Sequence, residues 1–225
     1  MAVQLAQAQV AVAFDSGYLR VKRLLDVAFT LVLLVPFGLV MALVALSVML
    51  TSEGPILYRQ RRVGENGAEF EMLKFRSMCV NNDDETHRKA IERYMQGQAL
   101  NGDGSGPNAF KLGHDPRITP VGRFIRKTSL DELPQLFNVL RGEMTLVGPR
   151  PPLPYEIRMY SPRDWLRLAS KPGLTGPWQV YGRSRVPFRE MVEMDIAYLE
   201  RQSLLEDIKL MALTVPVMVA ARGGA

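Results

Sequence analysis

Two adjacent carboxylates in a cationic setting are the first feature with chemical potential: Arg126-Lys127-Thr128-Ser129-Leu130-Asp131-Glu132-Leu133-Pro134-Gln135-Leu136. Leu130, Leu133, Phe137 and Leu140 recur at spacings of 3, 4 and 3, one face of a helix, and Gly142 reads as its stop. Asp131 and Glu132 then fall in the first turn of that helix or one residue ahead of it. Pro134 sits where a missing N–H matters least. Unpaired N–H groups and the positive end of the helix dipole would hold Asp131 ionised, the form a nucleophile needs. Neighbouring helical residues do not share a face, so the two acids can take different roles. A plain capping box, with Ser129 as cap and Glu132 reaching back, accounts for the same residues.

Cations recur at places that could meet an anion. Lys74 and Arg76 share a face if Phe70 to Met78 is a strand. Arg123 and Arg126 are helically spaced and lead into the acidic pair. Arg150 stands among prolines in Gly148-Pro149-Arg150-Pro151-Pro152, a stiff presentation suited to bidentate phosphate recognition. Lys171-Pro172-Gly173-Leu174-Thr175-Gly176 and Tyr181-Gly182-Arg183 repeat the pattern of turn residues carrying cations. Asp195 lies on the apolar face of a helix over Pro187 to Gln202, where an acid needs a partner or a function. Acidic residues Asp83 to Glu85 read as the first turn of a helix over Asn81 to Met95, and Gly102 to Asn108 as a loop without a Walker A lysine.

Charge and composition narrow the partners. The 225 residues carry a net charge of +5, which suits nucleic acid, an anionic membrane or phosphorylated substrates. Nucleic acid is not expected, because no basic stretch is interleaved with the 8% aromatic residues and no binding module is visible. The single cysteine, Cys79, excludes an internal disulfide and reads as a small buried hydrophobe. His87 and His114 stand apart, so no zinc spacing exists.

What must position these groups begins with Val27 to Leu50, a stretch without a charge and long enough to cross a bilayer. A signal peptide fits poorly, since the run is long and no cleavage site follows. A spanning helix and a helix that enters, bends and returns remain. Pro36 inside the run, and cations on both flanks (Arg20, Lys22 and Arg23 before; Arg59, Arg61 and Arg62 after), favour return. Ile208 to Ala221, interrupted by Pro216, is too short for a comfortable span and suits the interface. Extended segments are expected at Ile56 to Arg62 and Met144 to Val147.

Taken in order, these blocks resemble the catalytic core of the monotopic polyprenyl-phosphate phosphoglycosyl transferases, the bacterial sugar transferase family. The resemblance rests on Lys22-Arg23-Leu24-Leu25-Asp26, Gly54-Pro55, Lys74-Phe75-Arg76-Ser77-Met78, Asp115-Pro116-Arg117-Ile118-Thr119, Ser129 to Leu136 with Asn138-Val139-Leu140, Leu146 to Pro151, Pro172 to Gly176 and Gln179 to Arg183. Val35 stands where some members place serine before the helix-breaking proline, and residues 82–112 match no motif. With about twenty residues ahead of Lys22, the chain resembles the core without the spanning region of larger members.

The resemblance implies a small, mostly helical α+β monotopic domain: a tail over 1–19, a re-entrant helix over 20–51, and a catalytic domain over 52–225 with short strands and interfacial amphipathic helices. It places the domain on the cytoplasmic face of a bacterial inner membrane. The reaction implied moves a sugar-1-phosphate from a UDP-sugar to polyprenyl (undecaprenyl) phosphate, releasing UMP. Asp131 is then the nucleophile and Glu132 its catalytic partner and the ligand of a Mg2+ ion, expected because a diphosphate and a carboxylate repel. Lys74, Arg76, Arg126, Arg150 and Arg183 become candidates for the phosphates, with Asp195 a partner for one of those cations. Expected partners are the two substrates, membrane lipid and a second copy of the chain. A non-catalytic adaptor for anionic headgroups would use the same cations but gains nothing from Asp131-Glu132.

Overall fold

The computed structural model describes residues 16–79, 85–97, 117–182 and 186–219. A 36-residue helix, α1 (Ser16–Thr51), comes first. The antiparallel hairpin β1 (Leu57–Val63) and β2 (Glu69–Phe75) follows, then α2 (Glu85–Met95), α3 (Pro120–Lys127) and α4 (Gln135–Arg141). Next come β3 (Thr145–Val147) and β4 (Gly173–Thr175), paired in parallel, and the helices α5 (Phe188–Arg201) and α6 (Leu204–Val219). The result is the expected mostly helical α+β domain with short strands. The expected turn at Lys171 to Gly176 instead contains β4, because Gly148 and Gly173 let the two backbones approach within a distance no side chain would allow.

Helix α1 is about 54 Å long at 1.5 Å per residue, and it runs through Pro36 as one assigned helix. Lys22, Asp26, Thr30, Val44 and Val48 are its buried residues. Leu33, Leu34, Phe37, Val40 and Met41 fill the stripe between them and pack on the core. That spacing of three and four places the body of the protein along one face of α1 from its first turns to its last. The other face exposes Leu24, Leu31, Val32, Val35, Leu39, Leu43, Leu46 and Leu50. A contiguous apolar stripe of this extent is a membrane surface rather than a solvated one. Among the described residues α1 is the one helix long and apolar enough to cross a bilayer.

Both ends of α1 are tied to the same body. At the first end, Lys22 pairs with Asp207 at 2.7 Å, and Tyr18 and Tyr198 donate to the same carboxylate. Asp26 accepts from Thr145 Oγ1 at 2.5 Å and from the Leu146 amide at 3.2 Å, which aligns β3 with the helix. At the other end, Arg76 reaches the carbonyls of Val48, Ser52 and Pro55. Val48 lies in the last turn of α1, where carbonyls lack intrahelical partners, and Ser52 and Pro55 belong to the turn that follows it. Arg62, counted among the flanking cations, is instead buried under Pro151.

Hydrophobic packing forms three clusters around this frame. Met72, Leu136, Val139, Met144, Leu146, Tyr198 and Leu210 join β2, α4, β3 and the last two helices. Tyr94, Trp178, Phe188, Met191 and Ile196 join α2 to α5. Val44, Val48, Phe75, Ile125 and Leu133 seat α3 and the acidic turn on the second half of α1. Cys79, expected to be buried, is exposed just beyond β2, and its amide donates to the Arg117 carbonyl at 3.0 Å.

Candidate active site

Helix α3 ends at Lys127 and α4 begins at Gln135, and the acidic pair lies between them. Leu130–Glu132 is a single 3-10 turn, so neither acid belongs to the helix that the leucine spacing suggested. Ser129 takes a left-handed backbone (φ 58°) and makes no side-chain cap. A capping residue needs an extended backbone, so the capping-box reading fails on geometry. Such a conformation costs a serine roughly 1–2 kcal/mol, strain that sits directly beside the acids. The buried residues of α4 are Gln135, Leu136, Asn138 and Val139, and Leu133 just ahead of it is buried too, while Phe137 is exposed; the 3-10 turn shifts the register that the sequence spacing implied. Gly142 does stop α4, in the left-handed conformation expected of a glycine cap (φ 79°).

Two elements bring cations to the pair, and a third fixes their register. Lys74, on β2, donates to Glu132 Oε1 at 2.7 Å. Asn138 on α4 fixes that register: its Oδ1 accepts from the Leu73 amide at 3.0 Å and its Nδ2 donates to the Glu71 carbonyl at 2.7 Å. Arg126 comes from the last turn of α3, whose start is capped by Thr119. Gly122 lets that helix lie against β2's extension, since a Cβ there would stand 2.0 Å from the Ser77 carbonyl oxygen.

The pair is not held ionised in the way the helix-dipole reasoning expected. Burial pushes the Asp131 carboxyl up to about 6; Lys74 opposes the rise, Glu132 adds to it and Arg126 opposes it again. Desolvation outweighs the two cations, and no α-helical N-terminus lies at Asp131 to help them. Near neutral pH the group is still mostly carboxylate, desolvated and therefore a better nucleophile than one in water. Magnesium suits these donors. Among the described residues no three of His, Cys, Asp and Glu converge, but this ion takes one or two carboxylates and completes its shell with phosphate oxygens and water.

The other cations divide. Arg76 is buried and spends its guanidinium on the C-terminus of α1, which removes it from the phosphate candidates. Its sequence position two residues after Lys74 was misleading because β2 ends at Phe75. Arg183 lies outside the described residues. Arg150 sits in the loop after β3, with Nη1 3.4 Å from Glu156 and its guanidinium over the Trp178 ring. Asp195 is fully buried and pairs with Arg167, a cation that sequence reasoning passed over. Arg167 also donates to the Arg150 carbonyl at 3.1 Å and to Tyr160 Oη at 2.9 Å, so Asp195 supports the Arg150 loop through it.

Arg62, Glu156 and Arg167 are thus site residues that the sequence reading did not select. Arg62 carried a signal, since Gln60 and Arg62 alternate in a strand and Gln60 Oε1 accepts from Arg62 at 2.7 Å. Arg167 carried none, lying in a 3-10 segment without periodicity.

The fold and site define a membrane-associated transferase domain, with a carboxylate pair ringed by cations and seated on an apolar helix. The chain belongs to the bacterial sugar transferase family, whose model matches residues 17–221. It is 41% identical over 211 residues to the galactosyl transferase CpsE of Streptococcus agalactiae, covering 93% of this chain and 44% of that protein. It is 38% identical over 209 residues to the exopolysaccharide production protein ExoY of Sinorhizobium fredii, covering 90% of this chain and 87% of that one. To the UDP-glucose:undecaprenyl-phosphate glucose-1-phosphate transferase of Caulobacter vibrioides it is 38% identical over 207 residues, covering 88% and 69%.

Proposed function

We propose that the protein transfers a hexose-1-phosphate from a UDP-sugar to a polyprenyl phosphate through a phosphosugar carried on Asp131. The observation that carries this reading is Asp131 itself: desolvated, beside Glu132, Lys74 and Arg126, with Leu130 and Leu133 on either side packed on the membrane helix. An Asp131 oxygen attacks the sugar-bearing phosphorus, and the bond from that phosphorus to the bridging oxygen breaks to release UMP. A phosphate oxygen of the polyprenyl acceptor then attacks the same phosphorus and returns the carboxylate. The acceptor is already anionic, so charge neutralisation matters more than a strong base. Lys74 and Arg126 offset charge at the reacting phosphorus, and Arg150 serves the phosphates from the opposite loop. Glu132 would hold magnesium, which when bound neutralises the diphosphate.

The membrane geometry agrees with a lipid-borne acceptor. Both ends of α1 and the face between them are anchored to one body, which supports a helix held at one side of the membrane, the cytoplasmic face of the inner membrane, over one that crosses. An active site at that surface meets a soluble donor and a lipid acceptor together. The printed activities of the relatives include galactosyl and glucose-1-phosphate transfer, which makes UDP-galactose and UDP-glucose the first donors to test.

The test is intact-protein mass spectrometry after adding each donor without lipid. A hexose-phosphate adduct, absent in Asp131→Asn, is the expected result. No adduct with either sugar, alongside normal turnover once polyprenyl phosphate is added, refutes the covalent route in favour of direct transfer.

A further inference from the structure

The loop after β3 is held in an unusual way. Four consecutive carbonyl oxygens each receive a donor from another element. Pro149 is met by the Gly173 amide at 2.9 Å and Arg150 by Arg167 at 3.1 Å. Pro151 is met by Arg62 at 2.9 Å and Pro152 by the Val63 amide at 3.0 Å. Three of these four residues are prolines with no N–H of their own. The backbone around Arg150 is therefore fixed by ring geometry and by bonding on every carbonyl, and the freedom left is in the Arg150 side chain.

That side chain enters a crowded charge cluster. Arg62, Arg150 and Arg167 surround two buried acids, Glu156 and Asp195. Asp195 is committed to Arg167, at full burial on both sides. Glu156, 1% exposed, faces the remaining two guanidiniums, while Glu132, which also acts on Arg62, is already paired with Lys74. The count leaves one positive charge in excess, and the crowding is felt: burial and then Arg150 push Arg62 down to about 10. Arg150 is the member with the loosest attachment. Its Nη1 stands 3.4 and 3.5 Å from the two Glu156 oxygens, at the outer limit of a hydrogen bond, and its side chain keeps 16% exposure. A buried cluster with surplus positive charge, whose longest ion pair is the one that keeps some exposure on its arginine side, is suited to take up an anion.

We propose that Glu156 is an internal counter-ion for Arg150 that the diphosphate of the incoming nucleotide displaces, while Arg62 and Arg167 keep the Pro149–Pro152 backbone in place for the exchange. This rests on the reading that the protein takes a nucleotide diphosphate donor. Glu156 is a positioning residue: it holds the guanidinium before the nucleotide arrives and competes with the phosphate for it. Removing its charge should therefore strengthen phosphate binding, the opposite of what loss of an ordinary structural residue does.

Binding of UDP to the full chain in detergent, measured by calorimetry, separates the outcomes. Glu156→Gln is expected to bind UDP about three- to tenfold more tightly than the wild type, and to melt lower without UDP but recover most of the loss when UDP is added. Glu156→Asp, which keeps the charge but retracts it from Arg150, should fold normally and shift affinity in the same direction by less. Arg150→Met should weaken UDP binding at least tenfold, and Arg167→Lys should weaken it less. If both Glu156 variants bind UDP as the wild type does, or more weakly, while Arg150→Met still weakens it, the counter-ion assignment is overturned. If the wild type binds no UDP, the donor reading itself fails.

Discussion

Replacing the nucleophile should stabilise the protein. Asp131 titrates at about 6 in the folded chain against 3.8 for the unperturbed group, chiefly because it is desolvated. A group raised in this way contributes stability fully below about pH 4 and loses that contribution as pH rises through about 6. The shift of roughly two pH units corresponds to about 3 kcal/mol by which the ionised form strains the fold above pH 7. Asp131→Asn keeps the shape and removes the charge. After the cost of burying an amide, about 1–2 kcal/mol of gain should remain. For a chain of this size that is a rise in Tm of roughly 2–8 °C. The assay is thermal unfolding of both proteins in one detergent at pH 7.5 and at pH 5.0. At pH 5.0, between the folded and unfolded values, about half of the penalty remains, and the cost of burying the amide about cancels it, so the difference should shrink towards zero. A variant no more stable than wild type at pH 7.5, or one with the same gain at both values, would refute the desolvated-nucleophile account. The trade of stability for activity is then localised to one carboxylate.

Further outcomes follow from the same geometry. Adduct formation should show an acid limb near pH 6, where Asp131 loses its charge; Lys74→Met should move that midpoint up and Glu132→Gln should move it down, because Lys74 lowers and Glu132 raises the Asp131 value. A pH series of single-turnover UMP release reads both, and shifts of the same sign would contradict the assignment. Asn138→Leu leaves the Leu73 amide and the Glu71 carbonyl without their partner and should cost about 2–4 kcal/mol, seen as a lower Tm together with slower turnover as Lys74 loses its register with Glu132. Gly122→Ala drives a Cβ into the Ser77 carbonyl oxygen and should destabilise by about 1–3 kcal/mol or more, measured by thermal unfolding, whereas Gly38→Ala, with open space around it, should not.

How much of this was legible in the sequence depended on whether a signal was local. The helix-forming apolar run, the first hairpin strand, the glycine stop at Gly142 and the acid on the apolar face at Asp195 each announce themselves within one element and appear about where expected, while the second strand ends at Phe75, three residues short of the expected Met78. The failures are places where a tertiary partner decides. Arg76 reads as an exposed cation one strand step from Lys74, yet it is buried at the C-terminal end of α1, where it donates to the Val48, Ser52 and Pro55 carbonyls. Ser129 and Glu132 spell a capping box, but Glu132 is taken by Lys74 from β2, and the backbone at Ser129 turns left-handed to deliver it. Arg62 and Arg167 find their meaning in carbonyls some 90 and 17 residues away in the chain. A sequence lists donors readily enough, but backbone acceptors look alike at every position, so the residues that orient an active site by holding carbonyls are the ones pattern reading misses. The same reasoning says where to look in related chains: at buried arginines without an acidic partner in reach of their own element, since a guanidinium with five donors removed from water must be holding something in place.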